Sequence, residues 1–473
     1  MTQQAEIRFG TDGWRALIAE DYTYENVARC ARGLCDYMRR RGTAGRGLIV
    51  GYDTRFLSPE FAATVAGVAA GQGIRALLAD RSAPTPVLSF NVLHHRAGGA
   101  AIITASHNPA TWNGFKFKPE YAGSATQEIT DELESAIRQV DRVDSAQISE
   151  GRNSGLVEEL EPSGPYFDHV SRLVDLDAIR SAGFRVAVDA MYGAGAGYLP
   201  RLLEGGATTV EELHGYRNPA FPGMAQPEPI APNLTELIAR VPASGAPVGI
   251  ALDGDADRVG VIDETGRFIT TLDTFSLLAL YLLEVKGWRG SLIKGVTASQ
   301  AMNKMGDIYG VDVHEVQVGF KHMGPRMEEL NALMAGEESG GFAFRGHVPE
   351  RDGILSGLYL LEYMAKSGKT VSGLLENLFR LVGPHFYHRR DVEFDADSRE
   401  RIRSLVNSPD LDRLGDNRVL SSDSIDGRRL RFDDGWLAVR FSGTEPLLRI
   451  YSEASSPERV TSLLDAAADY LGV

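Results

Sequence analysis

The sequence has little cysteine, no long apolar run and no excess of positive charge. Only Cys30 and Cys35 occur in 473 residues, five apart on a predicted helix. This argues against a disulfide framework or a cysteine zinc site and indicates a reducing compartment. The longest apolar runs, such as LLALYLL, are far too short to span a bilayer, and the segment MTQQAEIRFG contains no basic stretch followed by an apolar core. We therefore expect a cytoplasmic protein with no membrane partner.

The charge balance and two incomplete motifs argue against further classes. A formal net charge of −15 repels nucleic acid, so an anionic substrate must meet its cations inside a cleft. SGKT at 367–370 ends like a Walker A loop, but Tyr363 stands where the first glycine belongs. GAGAG at 193–197 is followed by Tyr198 where a dinucleotide fingerprint needs its last glycine. Neither an ATPase nor a Rossmann dehydrogenase is supported.

Three segments begin similar runs of elements. GLIVGYDTR, FRVAVDAMYG and GSLIKGVTAS start at positions 47, 184 and 290, and each predicts a strand followed by helix, strand, helix and a third apolar strand. This order predicts a threefold repeat of α/β units, although alternating elements resemble one another in any α/β protein. The third strands end in TASHNP, DGDADR and GEESGG. Ligands gather at the carboxyl ends of such strands.

Two other regions differ in composition and pattern. After about residue 384 the chain predicts a strand and a helix, then consecutive strands and a final helix, which indicates a smaller α+β domain. The Gly/Pro-rich segment 215–233 predicts a long surface loop, because strand signals resume on both sides of it.

Three aspartates form a candidate metal site. Asp253, Asp255 and Asp257 stand at alternate positions directly after an apolar strand. Carboxylates so close repel one another unless protons or a cation compensate, and a hard ion such as Mg²⁺ takes such oxygen ligands. The segment also matches an EF-hand pattern as far as Glu264, but Arg258 replaces its turn glycine and predicted strands replace its helices. The remaining alternative is a solvated acidic turn.

Ser106 is a candidate phosphate carrier. It follows an apolar strand and precedes Asn108 and Pro109, where an isolated serine would ordinarily form an ST-turn or a helix cap. Its place at a strand end, Lys116 downstream and the separate carboxylate triplet favour chemistry instead. Because no partner for a catalytic triad accompanies it, we expect Ser106 to carry phosphate beside a metal ion rather than an acyl group.

Two further loops have a composition that suits a sugar phosphate. In RFSGTEPLLR, backbone N–H groups, hydroxyls and guanidinium forks can wrap a phosphate without a metal, although Ser-Gly-Thr is also a common turn. In GEESGG, a carboxylate and a hydroxyl suit the hydroxyl groups of a sugar, and glycines permit close approach of the backbone. Taken alone, that segment favours an ordinary polar turn over a sugar site.

Together these motifs resemble a known family. TASHNP, DGDADR, GEESGG and RFSGTEP in this order, with amino-terminal FGTDGWR, resemble the α-D-phosphohexomutases, the phosphoglucomutase and phosphomannomutase superfamily, over nearly the whole chain. The resemblance implies an α/β fold with three tandem α/β/α sandwich domains with mixed sheets and a smaller carboxyl-terminal α+β domain around a central cleft. We place the domains at residues 1–150, 151–265, 266–384 and 385–473.

The resemblance also implies roles for individual residues. Ser106 would be a phosphoserine whose phosphate completes a Mg²⁺ site formed by Asp253, Asp255 and Asp257. The residues implied around the moving phosphoryl group are Arg15, His107, Lys116 and Arg258. Those implied for the sugar are Glu337 and Ser339, with Lys321 as a further substrate contact. Those implied for the non-reacting phosphate are Arg440, Ser442, Gly443, Thr444 and Arg449.

The implied reaction interconverts hexose 1-phosphate and hexose 6-phosphate, with glucose 1,6-bisphosphate as intermediate and activator, in a monomer or homodimer. Glucose is the expected sugar, mannose is the close alternative, and glucosamine is less expected. Many bacterial relatives place histidine where this chain has Gly341, which leaves the general base open between His107 and Lys116, with His322 behind them. A non-catalytic sugar phosphate binder and a metal-dependent phosphatase are the alternatives from other classes.

Overall fold

The structure, a computed structural model, describes residues 6–145, 147–408, 411–441 and 447–473. Its strands are β1 (Trp14–Leu17), β2 (Leu48–Tyr52), β3 (Ala76–Ala79), β4 (Gly99–Ile103), β5 (Trp112–Pro119), β6 (Val157–Leu160), β7 (Arg185–Asp189), β8 (Thr209–Leu213), β9 (Val248–Leu252), β10 (Val259–Asp263), β11 (Phe268–Ile269), β12 (Leu292–Gly295), β13 (Val313–Val316), β14 (Met334–Gly336), β15 (Phe342–Phe344), β16 (Phe386–Glu393), β17 (Arg413–Leu414), β18 (Asn417–Arg418), β19 (Ser421–Asp423), β20 (Arg428–Phe432), β21 (Gly435–Phe441) and β22 (Leu447–Ala454). Its α-helices are α1 (Tyr24–Arg40), α2 (Ser58–Gly71), α3 (Thr85–His94), α4 (Gln127–Arg138), α5 (Ile148–Asn153), α6 (Ser163–Leu173), α7 (Leu176–Ser181), α8 (Tyr198–Leu203), α9 (Thr235–Ser244), α10 (Thr271–Leu280), α11 (Ala301–Tyr309), α12 (Phe320–Leu330), α13 (Gly353–Ser367), α14 (Val371–Val382), α15 (Arg399–Val406) and α16 (Pro457–Leu471).

The first three sheets repeat one strand topology. In each, a first strand (β2, β7 or β12) pairs in parallel with a second (β3, β8 or β13) on one side and a third (β4, β9 or β14) on the other. The third strand then pairs with an antiparallel fourth strand, β5, β10 or β15. The predicted threefold repeat is therefore present in the topology. We call these the first, second and third units, and β16 to β22 with α15 and α16 the carboxyl-terminal domain.

The turn between the third and fourth strands carries a candidate motif in every unit. Residues 104–111 join β4 to β5, residues 253–258 join β9 to β10, and residues 337–341 join β14 to β15. Because the fourth strand runs back antiparallel, the chain reverses at the carboxyl end of the third strand, where ligands bind in α/β sheets. The repeat thus delivers three motifs to equivalent positions.

The sheets of the repeat are covered on both faces. β4 (GAAII) and β9 (VGIAL) are buried at every position, as expected for strands enclosed between helices. Ile49 and Ile102 enter one hydrophobic core while Val50 and Ala101 enter another, so alternate side chains of one sheet supply two layers. Among the described residues, no helix is long and apolar enough to cross a membrane.

The carboxyl-terminal domain is the predicted α+β unit. Its main sheet has the order β16, β22, β21, β20, β19. On β21, Leu437 and Val439 point into the core that α15 and α16 cover, while Trp436 and Ala438 lie on the opposite face. That opposite face meets the third unit: the guanidinium of Arg429 donates to the carboxylate of Glu315, at 2.9 and 2.5 Å.

Aromatic rings pack where elements of all three units meet. The ring of His169 (α6) stacks on Phe90 (α3), with centroids 4.4 Å apart, and on His347, which follows β15, at 5.2 Å. The carboxylate of Asp352 accepts hydrogen bonds from Tyr166 at 2.8 Å and pairs with His347 at 2.9 Å. Burial, reinforced by the neighbouring His347, lowers the pKa of His169 to about 4.

The lowered pKa of His169 in this stack predicts that the free energy of unfolding falls in acid. Above pH 6.5 the His169 ring is neutral in both folded and unfolded chains, so its contribution to stability is complete. As the pH falls from 6.5 towards 4, the unfolded chain takes up the proton first and that contribution is lost. We expect His169→Gln to lose less unfolding free energy than the wild type between pH 7 and 4.5, measured by urea denaturation. The exposed His388→Gln is the control, and equal losses in both variants contradict the assignment.

Candidate active site

The three predicted metal carboxylates lie together. Oxygens of Asp253, Asp255 and Asp257 are within 4.8 Å of one another, and all three residues are buried. The turn closes on Asp253, whose carboxylate accepts the backbone N–H groups of Asp257 at 2.9 Å and Arg258 at 3.1 Å. Only glycine fits at position 254, because a Cβ there would lie 2.4 Å from the carbonyl oxygen of Ser106.

The donor set fits a hard divalent cation. Burial, and then the charges of Asp257 and Asp255, raise the pKa of Asp253 well above its usual range. Within the described part of the chain, one oxygen each of Asp255 and Asp257 is buried and accepts no hydrogen bond. Such oxygens cost free energy unless a cation or donor reaches them. All-oxygen donors with this geometry are the ligands that Mg²⁺ prefers.

Ser106 lies at the edge of this cluster. Its hydroxyl donates to the carboxylate of Asp253 at 2.8 Å, and its oxygen is 3.2 Å from Nδ1 of His107. The serine has a left-handed backbone conformation, φ 51°, which costs a non-glycine residue free energy and is found where surrounding contacts enforce it. The structure therefore brings the serine and the carboxylates together from two different units.

Arg55 is the residue that enforces this conformation. Its guanidinium is buried and donates to four backbone carbonyls of the serine turn: those of Ser106 and Asn108 at 2.6 Å, Pro109 at 2.9 Å and Trp112 at 3.2 Å. An arginine fork can satisfy several acceptors that a lysine cannot reach together. The loop that carries Ser106 is thus wrapped around one side chain at the end of β2.

Lys116, from the first unit, brings positive charge to the carboxylate cluster. The ammonium of Lys116 lies 2.7 Å from Asp255, 3.2 Å from Asp257 and 2.7 Å from Asp12. Burial alone would lower the pKa of Lys116, but these carboxylates outweigh it and raise the pKa. Lys118, two residues along β5 and hence on the same face, also pairs with Asp12, at 2.8 Å.

The predicted catalytic histidine has the opposite protonation tendency. Burial, followed by the charges of Arg258, Arg15 and Lys116, lowers the pKa of His107 well below its usual range. A ring that stays neutral at pH 7 can accept a proton. The two arginines are held nearby: Arg15 donates to the side chain of Asn108 at 2.8 Å, and Arg258 pairs with Glu228 at 3.2 Å.

The segment 215–233 is more than the surface loop that the sequence predicted. Glu228 holds Arg258, and the buried ring of Phe221 lies under the guanidinium of Arg55 at 5.1 Å. The carbonyl of Pro227 also accepts the N–H of Gly254, at 3.2 Å. The segment therefore packs against both the serine turn and the aspartate turn. The Gly/Pro content of the segment predicts a surface loop and gives no sign of these contacts.

The GEESGG turn faces the same site from the third unit. Glu337 is buried, and its carboxylate accepts the backbone N–H of Gly319 at 3.0 Å. Ser339 is half-buried two residues further on. At position 341 a Cβ would lie 2.3 Å from the side chain of Arg351. The missing side chain therefore leaves the space that Arg351 fills.

Arg351 links the third unit to the carboxylate cluster. Its guanidinium lies 2.9 Å from Asp257, 3.6 Å from Glu337 and 2.5 Å from Asp12. The neighbouring Glu350 pairs with Lys118 at 2.5 Å. All these groups are buried or nearly so, which makes the charge network an attachment between units as well as a site.

The remaining predicted substrate residues lie at the edges of this arrangement. The ammonium of Lys321 donates to the side chain of Gln127 at 2.7 Å, and His322 follows it at the start of α12. Arg440 and Arg449 are directly opposite each other on β21 and β22. Each already has a carboxylate nearby: Arg440 lies 2.9 Å from Asp426, and Arg449 lies 3.9 Å from Asp391. Ser442, Gly443 and Thr444 lie outside the described residues.

Family comparisons cover most of the chain in the same order. Models of phosphoglucomutase/phosphomannomutase α/β/α domains I, II and III match residues 6–144, 164–266 and 273–382, and the model of the C-terminal domain matches 401–470. The chain belongs to the phosphoglucomutase/phosphomannomutase family. This confirms the resemblance drawn from the motifs and the four-part architecture that it implied.

Relatives whose names give different substrates match this chain over nearly its full length. A phosphoglucomutase/phosphomannomutase of Thermococcus kodakarensis is 33% identical, over 97% of this chain and 96% of its own. A candidate phosphoglucosamine mutase of Methanopyrus kandleri is 30% identical, over 98% and 97%. The crystal structure of a candidate phosphomannomutase from Thermus thermophilus is 34% identical with a TM-score of 0.88, covering both chains fully. The specific sugar is not decided by these names.

Several site residues escaped the sequence reasoning. They are Asp12, Arg55, Lys118, Glu350 and Arg351. Arg55 ends the first strand segment GLIVGYDTR and Asp12 stands inside FGTDGWR, so a search of every strand end and motif for charged side chains would have named both as candidates, although not their contacts. Glu350 and Arg351 follow no strand directly, and only the packing of the third unit against the first shows their place.

Cation binding tests the carboxylate cluster without reference to turnover. We expect Mg²⁺ titrated into the protein to bind at one site and raise the midpoint of thermal unfolding. Asp255→Asn removes a buried ligand charge, so the affinity measured by calorimetry should fall at least about tenfold. Asp416→Asn, at an exposed turn, is the control. Equal binding by all three proteins would place the cation elsewhere.

The wrapping of the serine turn is tested at Arg55. Arg55→Lys keeps the charge but cannot satisfy four carbonyls, so the free energy of unfolding should fall by about 2–4 kcal/mol in urea denaturation. Arg75→Lys changes an exposed pair with Glu158, where exposed ion pairs contribute about 1 kcal/mol or less. A loss no larger than that of the control would show that the turn keeps its shape without Arg55.

Proposed function

We propose that this family member is a Mg²⁺-dependent phosphohexomutase that interconverts hexose 1-phosphate and hexose 6-phosphate through a phosphoserine at Ser106. The observation that carries the proposal is the contact of the Ser106 hydroxyl with Asp253, 2.8 Å away, inside a buried carboxylate cluster that fits a divalent cation. Phosphate monoesters react extremely slowly in water, so catalysis rests on positioning and charge stabilisation.

The groups around Ser106 supply that stabilisation. Mg²⁺, when bound by Asp253, Asp255 and Asp257, contributes positive charge beside the phosphoryl oxygens. Lys116, held protonated by its carboxylate neighbours, adds a fixed cation at the same place. Arg15 and Arg258 are the remaining cations proposed to contact the phosphoryl group.

The phosphoryl transfer needs a group that accepts one proton. The P–O bond to Ser106 breaks as a free sugar hydroxyl forms a new P–O bond, and the hydroxyl proton passes through a base to the departing Ser106 oxygen. His107 is the better candidate, because its lowered pKa keeps it neutral whereas the pKa of Lys116 is raised. The bisphosphate then turns around and its other phosphate returns to Ser106, whose hydroxyl proton passes through the base to the leaving sugar oxygen.

The sugar and its second phosphate are assigned to two loops. Glu337 and Ser339 are proposed to hold sugar hydroxyls, with Lys321 as a further contact. The phosphate that does not react is proposed to bind the carboxyl-terminal domain at Arg440, Ser442, Gly443, Thr444 and Arg449. The facing pair Arg440 and Arg449 supports this assignment, because two neighbouring guanidinium groups can together bind phosphate oxygens.

Glucose phosphate is the proposed substrate, with glucose 1,6-bisphosphate as activator. Mannose phosphate is the close alternative, since the two sugars differ by one hydroxyl and hence by about one hydrogen bond. Glucosamine phosphate is a second candidate that the named relatives favour, because a candidate phosphoglucosamine mutase matches over 98% of this chain. Against it stands Gly341, where relatives of that type usually carry histidine.

A substrate panel with a serine variant tests the proposal. We expect the wild type to convert glucose 1-phosphate in the presence of Mg²⁺ and glucose 1,6-bisphosphate faster than mannose or glucosamine 1-phosphate. Ser106→Ala should lower this rate at least about a thousandfold, because it removes the phosphoryl acceptor. Ser171→Ala, on the exposed surface of α6, is the control.

Three outcomes would contradict parts of the proposal. Full activity in Ser106→Ala removes the assigned phosphoryl carrier. Free phosphate formed in step with substrate loss indicates a phosphatase instead. Binding of hexose phosphate without isomer formation indicates a non-catalytic binder.

A further inference from the structure

Glu338 stands between the two residues proposed to hold the sugar, yet its side chain contacts another domain. Its carboxylate accepts a hydrogen bond from the hydroxyl of Tyr387 at 2.7 Å and lies 3.5 Å from the guanidinium of Arg389, both on β16. Its backbone carbonyl accepts from the hydroxyl of Thr271 at 2.5 Å, at the start of α10. The side chain of Glu338 therefore anchors the GEESGG turn to the carboxyl-terminal domain.

The same face of that domain carries the phosphate arginines. Arg389 is paired with Tyr451 on β22, and Tyr451 with Ala438 on β21. Arg440 lies two residues beyond Ala438 on the same face of the strand, and its guanidinium contacts the hydroxyl of Tyr451 at 3.4 Å. One sheet therefore joins the contact at Glu338 to the arginines proposed for the non-reacting phosphate.

Other contacts hold the two domains together independently. Arg429 donates to Glu315 and to the carbonyl of Val296 at 3.0 Å. Asp426 accepts the N–H of Val318 at 2.9 Å and pairs with Arg440 at 2.9 Å. The side chain of Glu338 is partly exposed, whereas Arg429 is almost completely buried. Loss of the Glu338 contact should therefore loosen the sugar turn without detaching the domain.

We propose that Glu338 and Tyr387 are positioning residues that couple the sugar turn to the phosphate-binding domain. When the domain is seated on the third unit, the Tyr387 hydroxyl fixes Glu338 and thereby orients Glu337 and Ser339 on either side of it. Loss of the contact lets the bound sugar escape before its second phosphate is transferred. This inference rests on the proposed function for its consequence in turnover, but the contact itself is independent of it.

Tyr387→Phe tests the coupling because it removes only the hydroxyl. We expect amide hydrogen exchange in the segment 334–342 to rise about three- to tenfold without substrate, in line with loss of one hydrogen bond. In turnover, the amount of glucose 1,6-bisphosphate released per product formed should rise by a similar factor. Tyr470→Phe is the matched control, since that hydroxyl donates to the carbonyl of Leu405, in the carboxyl-terminal domain itself.

Variants of the partner residue separate positioning from folding. Glu338→Gln keeps an oxygen that accepts from Tyr387 and should retain most of the wild-type exchange protection, whereas Glu338→Ala should behave like Tyr387→Phe. Exchange in Tyr387→Phe that matches Tyr470→Phe overturns the coupling. If the wild type isomerises no hexose phosphate, the proposed function fails, and the exchange measurement still decides whether the contact positions the turn.

Discussion

The burial of three like charges is the constraint on which the rest of the structure depends. Asp253, Asp255 and Asp257 are removed from water at the meeting point of the units, and buried carboxylates repel one another unless positive charge is brought to them. Lys116 brings it from the first unit and Arg351 from the third. The ion pairs that compensate the buried carboxylates therefore also hold the units together. The same contacts form the site and join the units.

The repeated topology explains how residues far apart in sequence reach this point. Each unit reverses its chain at the carboxyl end of its third strand, and the units pack with those ends together. A serine turn, an aspartate turn and a glutamate turn then meet although about 230 residues separate the first from the last. The carboxyl-terminal domain is not part of the repeat. It meets the third unit with the sheet face that lies opposite its own hydrophobic core.

Much of this was predictable from local patterns, and the rest was not. Apolar runs ending in unusual loops identified the first three strands of each unit and the turns that hold Ser106, Asp253 and Glu337, because periodicity and strand-end chemistry are local signals. The Arg55 fork and the packing of segment 215–233 depend on contacts between distant parts of the chain. A guanidinium at a strand end looks the same in sequence whether it faces solvent or four carbonyls.

Position 341 has no side chain, and the side chain of Arg351 occupies the space beside it. In the sequence it is a position without the side chain that many relatives use, which leaves a proton-transfer role vacant. In the structure the space beside it contains the side chain of Arg351, whose guanidinium reaches Asp257 and Glu337. Arginine stays charged and exchanges no proton at physiological pH, so the side chain beside Gly341 supplies fixed positive charge and no proton acceptor. In the proposed reaction the proton would then pass through another group, and the ring of His107, 3.2 Å from the Ser106 oxygen, is the one that we propose.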